Sequence, residues 1–247
     1  MWLSRTTPSE RRTLLAGFAG YGLDGFDAMI YTFVIPTLLS AWSLTKGEAG
    51  DIATSLLVTS AIGGWGAGVL ADRFGRVRIL QLTVLWFAVF TCLSGFTQSY
   101  GQLLFTRAVQ GFGFGGEWAV GSVLVAETID ARHRGKAAGV VQSSWSVGWA
   151  AAALAFWAAS VLLPPELGWK VLFWVGILPA LLVIYIRRNV QDPQIYLDMR
   201  ARQRQARTPA ATAARASSVA ASAAAASGTA SFLNIFKRRL NSSSISG

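Results

Sequence analysis

Cysteine and histidine are almost missing from this chain: each occurs once, as Cys92 and His133. A lone cysteine closes no intrachain disulfide and builds no thiolate metal site. A lone histidine excludes paired-histidine metal chemistry, and no Ser/His or Cys/His constellation is available for nucleophilic catalysis. No enzyme, metal or cofactor is therefore expected. Charge is scarce too: 14% of residues are charged against 53% hydrophobic, with 10 Trp and 14 Phe. That balance suits an all-α polytopic membrane protein rather than a soluble domain. The net charge of +10 would suggest nucleic acid in a soluble protein. Here basic loops on one side of a bilayer account for it, and no nucleic-acid partner is expected.

Long apolar runs are what the chain has instead. Six read as transmembrane helices of roughly the ~20 residues a bilayer needs: 14–39, 52–70, 79–96, 103–126, 137–163 and 169–186. Arg11-Arg12 before the first run faintly resembles a twin-arginine signal. The run is too long for a signal h-region and closes on no cleavage site, so it is expected to be a retained span. Lys and Arg alternate by loop. Arg5, Arg11, Arg12, Arg73, Arg76, Arg78, Arg132, Arg134 and Lys136 fall on one side, and only Lys46 and Lys170 on the other. The positive-inside rule then puts both termini in the cytoplasm of an inner (plasma) membrane protein.

Four domains are expected on composition: a cytoplasmic N-terminus (1–13), a six-helix bundle (14–190), an Ala/Ser-rich cytoplasmic linker (191–231) and an amphipathic stub (232–247). The linker lacks the apolar face that would build a core and is read as disordered.

Ionisable groups within the runs are the candidate site. Asp24 and Asp27 lie three apart on the first span, with Tyr31 one turn further along the same face. Arg107 and Glu117 lie on the fourth. At 1.5 Å per residue from the cytoplasmic ends, Asp24 is about 15 Å deep, Asp27 about 20 Å, Glu117 about 14 Å and Arg107 about 29 Å. Glu117 is thus level with Asp24, and Arg107 reaches Asp27 if its side chain bends inward. Such residues mark substrate or proton pathways more often than they serve as structural locks. Gly111 and Gly115, like Gly64 and Gly68, have the spacing that lets helices touch.

The turn GVLADRFGRVR (68–78) joins the second and third runs and puts Asp72, Arg73, Arg76 and Arg78 in water. Gly68 and Gly75 are expected to allow close approach and a tight reversal. Glu127 and Arg134 fall on the same side, so an Asp72–Arg76–Glu127–Arg134 network is expected at the helix ends, against the alternative of a solvated charged loop. The turn resembles the G-x-L-A-D-R-x-G-R-[KR] loop of major facilitator superfamily transporters, matching at Gly68, Leu70, Ala71, Asp72, Arg73, Gly75 and Arg76. DGFD (24–27), RAVQGFGFGGEW (107–118), RGKAAGVVQSSWSVGW (134–149) and GILPALLVIYIRRNVQDP (176–193) resemble the organic acid:proton symporters of that superfamily, of the aromatic acid, sialate and lactate types.

The resemblance implies proton-driven symport of a small carboxylate. Asp24, Asp27 and Arg107 would be the coupling and binding groups, and Asp72 a gate facing a second half. Those transporters have twelve spans in two halves, and this chain resembles the N-terminal half. A half-transporter completed by a second half or a homodimer is one expectation. The other is a truncated, non-transporting six-span remnant or scaffold. The topology is directly testable. Cysteines introduced at Thr45 and Gln98 are expected to react with an impermeant thiol reagent outside intact cells, and one at Ser217 is not; labelling at Ser217 would reverse the orientation.

Overall fold

The computed structural model describes residues 6–190, together with 197, 198 and 201. The linker and stub expected over 191–247 otherwise lie outside the described residues. The described residues hold no strand, and residues 6–190 form seven helices: α1 (Pro8–Ala41), α2 (Lys46–Phe74), α3 (Arg76–Ser94), α4 (Tyr100–Thr128), α5 (Arg134–Leu162), α6 (Pro165–Val175) and α7 (Leu178–Asn189). The first five run past the apolar cores of the expected spans at most of their ends.

Local chemistry sets where these helices begin. Thr7 and Thr45 each open one with a capping box: the hydroxyl accepts the N–H of Glu10 or Glu48, and that glutamate accepts the threonine N–H in return. Glu10 does more, because its second oxygen accepts the Asp130 N–H at 3.0 Å. This ties the start of α1 to the loop between α4 and α5. Partial burial raises the Glu10 carboxyl pKa, but the backbone N–H groups of Thr7 and Asp130 outweigh it and hold the value below the usual range.

The sixth expected span is found as an apolar stretch over Pro165–Ile186. It is two helices, α6 and α7, broken at Gly176–Ile177. Pro179 has no N–H to give the carbonyl of Val175, so the ladder cannot run through. Gly176 N–H closes on Phe173 O at 3.0 Å, while its Cα packs against the methyl of Thr91.

By length and hydropathy α1, α2, α3, α5 and the α6–α7 pair can each cross a bilayer. Helix α4 is as long as α2 and α5, 29 residues, and buries Arg107 and Glu117 against its neighbours. It completes a six-span bundle whose large exposed side chains, such as Trp65, Phe105, Trp157 and Leu162, are apolar. The closest helix packing pairs α2 with α4, α3 with α4, and α1 with α5. Glycine makes these approaches possible. A Cβ on Gly111 or Gly115 would collide with the Leu56 or Ser60 carbonyl of α2, and one on Gly148 with the Gly22 carbonyl of α1. Gly68 is different, for nothing lies within 4 Å of where its Cβ would stand, so the expected close approach there is not made by the described residues.

The contrast predicts a stability difference. Gly115→Ala is expected to cost ~1–3 kcal/mol by overpacking α2 against α4. Gly68→Ala is expected to leave the thermal unfolding midpoint of the detergent-solubilised chain unchanged or slightly raised. Equal midpoints for the two variants would mean that the α2–α4 contact is not glycine-limited.

Candidate functional site

Asp27 and Arg107 are buried to within a few per cent, and they meet. Arg107 Nη1 donates to both carboxylate oxygens of Asp27, at 3.1 and 2.9 Å. The arginine has bent toward the bundle centre to do so, across a register difference of about 9 Å from the helical rise. Gln110, one turn along α4, completes the group. Its carbonyl accepts from Arg107 Nη1 at 2.9 Å, and its amide donates to Asp27 at 3.0 Å and to the Thr91 hydroxyl of α3 at 2.7 Å. The Arg107 guanidinium lies 4.9 Å from the Tyr31 ring centroid and 5.4 Å from that of Phe173. Tyr31 is held in turn by its hydroxyl, which donates to Ala49 O at 2.6 Å. Arg107 Nε is buried with no hydrogen-bond partner. The guanidinium therefore holds one carboxylate with donor capacity to spare.

A cavity of about 460 Å³ opens beside this pair, and its lining includes Asp27, Tyr31, Arg107, Phe114, Trp118 and Trp145. Aromatic walls around a single cation suit a small, flat, apolar anion better than a polyhydroxylated or cationic one.

Asp24 and Glu117 take no part in the hydrogen bonds of that pair. A Cβ on Gly20, one turn before Asp24, would stand 2.5 Å from Glu117 Oε1, so the glutamate head rests on the backbone of α1. Neither Asp24 oxygen has a hydrogen-bond partner, and Glu117 Oε2 has none.

The turn residues divide. Gly75 takes φ 110°, the left-handed reversal expected of it, and ends α2. Arg76, expected in water, is buried: it sits 3.2 Å from Asp72 Oδ1 and 2.7 Å from Glu127 Oε2, joining α2, α3 and α4. Arg134 is not part of that network. Its Nε donates instead to the Ile129 carbonyl at 3.3 Å, at the end of α4. Arg73 lies over the Phe74 ring and stays exposed.

Gln110 and Thr91 escaped the sequence reading because neither bears a charge. The signal available was a polar residue three positions from Arg107 in an otherwise apolar span.

Comparison with known proteins places this geometry. The family model of the Major Facilitator Superfamily matches residues 17–247. The probable 4-methylmuconolactone transporter of Cupriavidus pinatubonensis is 50% identical over 211 residues, which cover 85% of this chain and 48% of that protein. The cis,cis-muconate transport protein of Acinetobacter baylyi is 33% identical over 201 residues, covering 81% and 48%. The chain thus spans about half the length of the curated relatives it matches. Among solved structures, a partially occluded, inward-open form of the xylose transporter XylE from E. coli superposes with a TM-score of 0.70. At 20% identity, over 81% of this chain and 52% of that one, this is a likeness of fold alone. On the family match and the shared six-helix arrangement, this chain belongs to the Major Facilitator Superfamily.

Proposed function

We propose that the chain forms the N-terminal half of a proton-coupled symporter for a small organic anion, in an inner membrane with both termini cytoplasmic. The observation that carries the reading is the buried Asp27–Arg107 pair in the wall of an aromatic-lined cavity. The second wall of the path comes from a further six-helix half or a second copy of this one. The names of the muconolactone and muconate relatives point to flat, unsaturated carboxylates as the substrate class.

Charge balance supplies the mechanism. With Asp27 ionised, Arg107 is neutralised and has little attraction for a second anion. A proton on Asp27 removes that neutralisation and leaves a buried guanidinium, which a substrate carboxylate then satisfies through charge-assisted hydrogen bonds. Asp24 lies next on the α1 face and hands the proton on. Proton and anion thus enter and leave together. The turn residues Gly68, Asp72, Arg73, Gly75, Arg76 and Glu127 act as a gate, in which the Arg76 contacts to Asp72 and Glu127 hold the ends of α2, α3 and α4 in one arrangement. Arg134 takes no part in that gate on the geometry described.

Trp118 and Trp145 line the cavity, so binding to the purified full chain is readable as quenching of tryptophan fluorescence. Saturable quenching by cis,cis-muconate is expected, with affinity rising as pH falls, because protonating Asp27 frees Arg107. Asp27→Asn is expected to bind with that pH dependence lost. Arg107→Ala is expected to lose about 1.5–3 kcal/mol, roughly ten- to hundredfold in affinity. Asp27→Asn that kept the wild-type pH dependence would refute the assignment of Asp27.

The gate has its own test. Asp72→Asn is expected to leave insertion and folding of this chain intact, because Asp72 is largely exposed and Arg76 keeps Glu127. Joined to a second half, the same substitution is expected to slow transport. A large loss of folded protein from Asp72→Asn in this chain alone would make the network structural.

A further inference from the structure

The start of α5 holds a guanidinium without an acid. Sequence position groups Arg134 with Asp72, Arg76 and Glu127, yet its described partner is the Ile129 carbonyl, which Nε meets at 3.3 Å. No described carboxylate pairs with it, and the acids around it are engaged elsewhere. Glu127, near the end of α4, is held by Arg76 at 2.7 Å. Glu10 of α1 accepts the Thr7 and Asp130 N–H groups, and Asp130 in turn accepts the Arg132 N–H at 2.8 Å. The terminal nitrogens of Arg134 are left with donor capacity and no described acceptor.

A second cavity, of about 150 Å³, opens beside this side chain between α1, α4 and α5. It shares no lining residue with the larger one. Tyr21, Ser122, Arg134 and Gln142 are its polar walls, and no acidic residue lines it. The sequence of α5 makes the space. Arg134, Ala138 and Gln142 fall four apart on one face, so the short methyl of Ala138 leaves a gap between two long side chains. Helical side chains lean toward the helix N-terminus, which inclines Gln142 toward Arg134. Helix α1 lies against two of the walls, for a Cβ on Gly17 would stand 3.1 Å from Val125 and 3.4 Å from Val141. Tyr21 and Ser122 give their hydroxyl protons to the Trp118 and Ala119 carbonyls, at 3.4 and 3.0 Å. The donors left over are the Arg134 terminal nitrogens and the Gln142 amide. At roughly 30 Å³ per water the space holds about five waters, or one carboxylate with its first carbons.

We propose that this cavity is a second oxyanion site, in which Arg134 and Gln142 hold a carboxylate-sized head at the basic end of the bundle. The site stands on the geometry of α4 and α5; that its anion is the substrate carboxylate rests on the organic-anion reading above. Arg134 is exposed where Arg107 is buried, so its hold on an anion is screened and weaker. A weak site with fast exchange suits a place where an anion arrives or leaves. The phosphate of a lipid headgroup offers the same chemistry.

Thiol accessibility reads the site in the purified full chain, in nanodiscs of neutral phosphatidylcholine. In a Cys92→Ala background, Ser122→Cys puts one thiol in the cavity wall, and Ser143→Cys puts one on the exposed side of α5 outside it. cis,cis-Muconate is expected to slow methanethiosulfonate modification of Ser122→Cys saturably and to leave that of Ser143→Cys unchanged. Adding Arg134→Gln is expected to raise the half-protecting concentration roughly tenfold or more, as loss of a charged hydrogen-bond donor does. Gln142→Leu is expected to raise it by a smaller factor, and carries the test if Arg134→Gln does not fold. Arg107→Ala is expected to leave the protection intact. Absence of protection in any lipid, or protection that neither variant weakens, would overturn the proposal. So would protection that Arg107→Ala removes, since the anion would then act from the larger cavity. Protection in phosphatidylglycerol nanodiscs without muconate would keep the site and assign it to a lipid phosphate. If protection follows Arg134 while tryptophan quenching is indifferent to Arg107, the second site stands and the Arg107 assignment fails.

Discussion

A guanidinium cannot stay charged and alone among hydrocarbon, and the arrangement of this bundle follows from where Arg107 finds its carboxylate. The helices pack in two groups: α1 lies along α5, while α4 lies along both α2 and α3. Contacts between α1 and α4 are sparser, so the Asp27–Arg107 pair spans a seam rather than reinforcing a tight interface. Gln110 and Thr91 extend the same network into α3. Removing one partner from such a pair typically costs ~3–5 kcal/mol, because the other charge is left uncompensated. Protonating Asp27 is the mild version of that loss. The seam is therefore where a change in charge has the most leverage on how the two helix groups sit against each other.

Much of this was legible from spacing alone. The six runs, the i, i+3 relation of Asp24 and Asp27, and the antiparallel depths of α1 and α4 follow from the helical rise and from the cost of ionisable groups in lipid. What was not legible depends on packing. The break between α6 and α7 has a local cue in Gly176 and Pro179, but hydropathy is blind to it because both halves are apolar. Arg134 was grouped with Arg76 on side of membrane only; position along a loop does not fix which way a side chain turns. Gln110 was invisible to a search for charge, although it makes as many contacts within the pair as Arg107 does with Asp27.

The glycines divide along a similar line. Those of α4 face neighbouring backbone and are fixed by contact, whereas Gly68 and the solvent side of Asp72, four residues apart on one face of α2, meet open space. One face of the turn is thus left uncovered among the described residues. Arg76 belongs to the inner side of the same turn. It takes its strength from Glu127 and keeps Asp72 within reach, so the turn has one arm bound into this half and one arm available.

Two carboxyl environments a single helical turn apart on α1 differ in the feature that decides what each can do. Asp27 has a cation at hydrogen-bond distance, whereas neither oxygen of Asp24 has a hydrogen-bond partner. In the proposed symport, loss of the proton from Asp27 restores the Asp27–Arg107 pair and displaces the anion that had replaced it. Such an exchange needs no long-range signal, since the low dielectric between α1 and α4 makes an uncompensated Arg107 costly. On that reading coupling follows from the requirement that Arg107 be paired at every step, by Asp27 or by the substrate carboxylate.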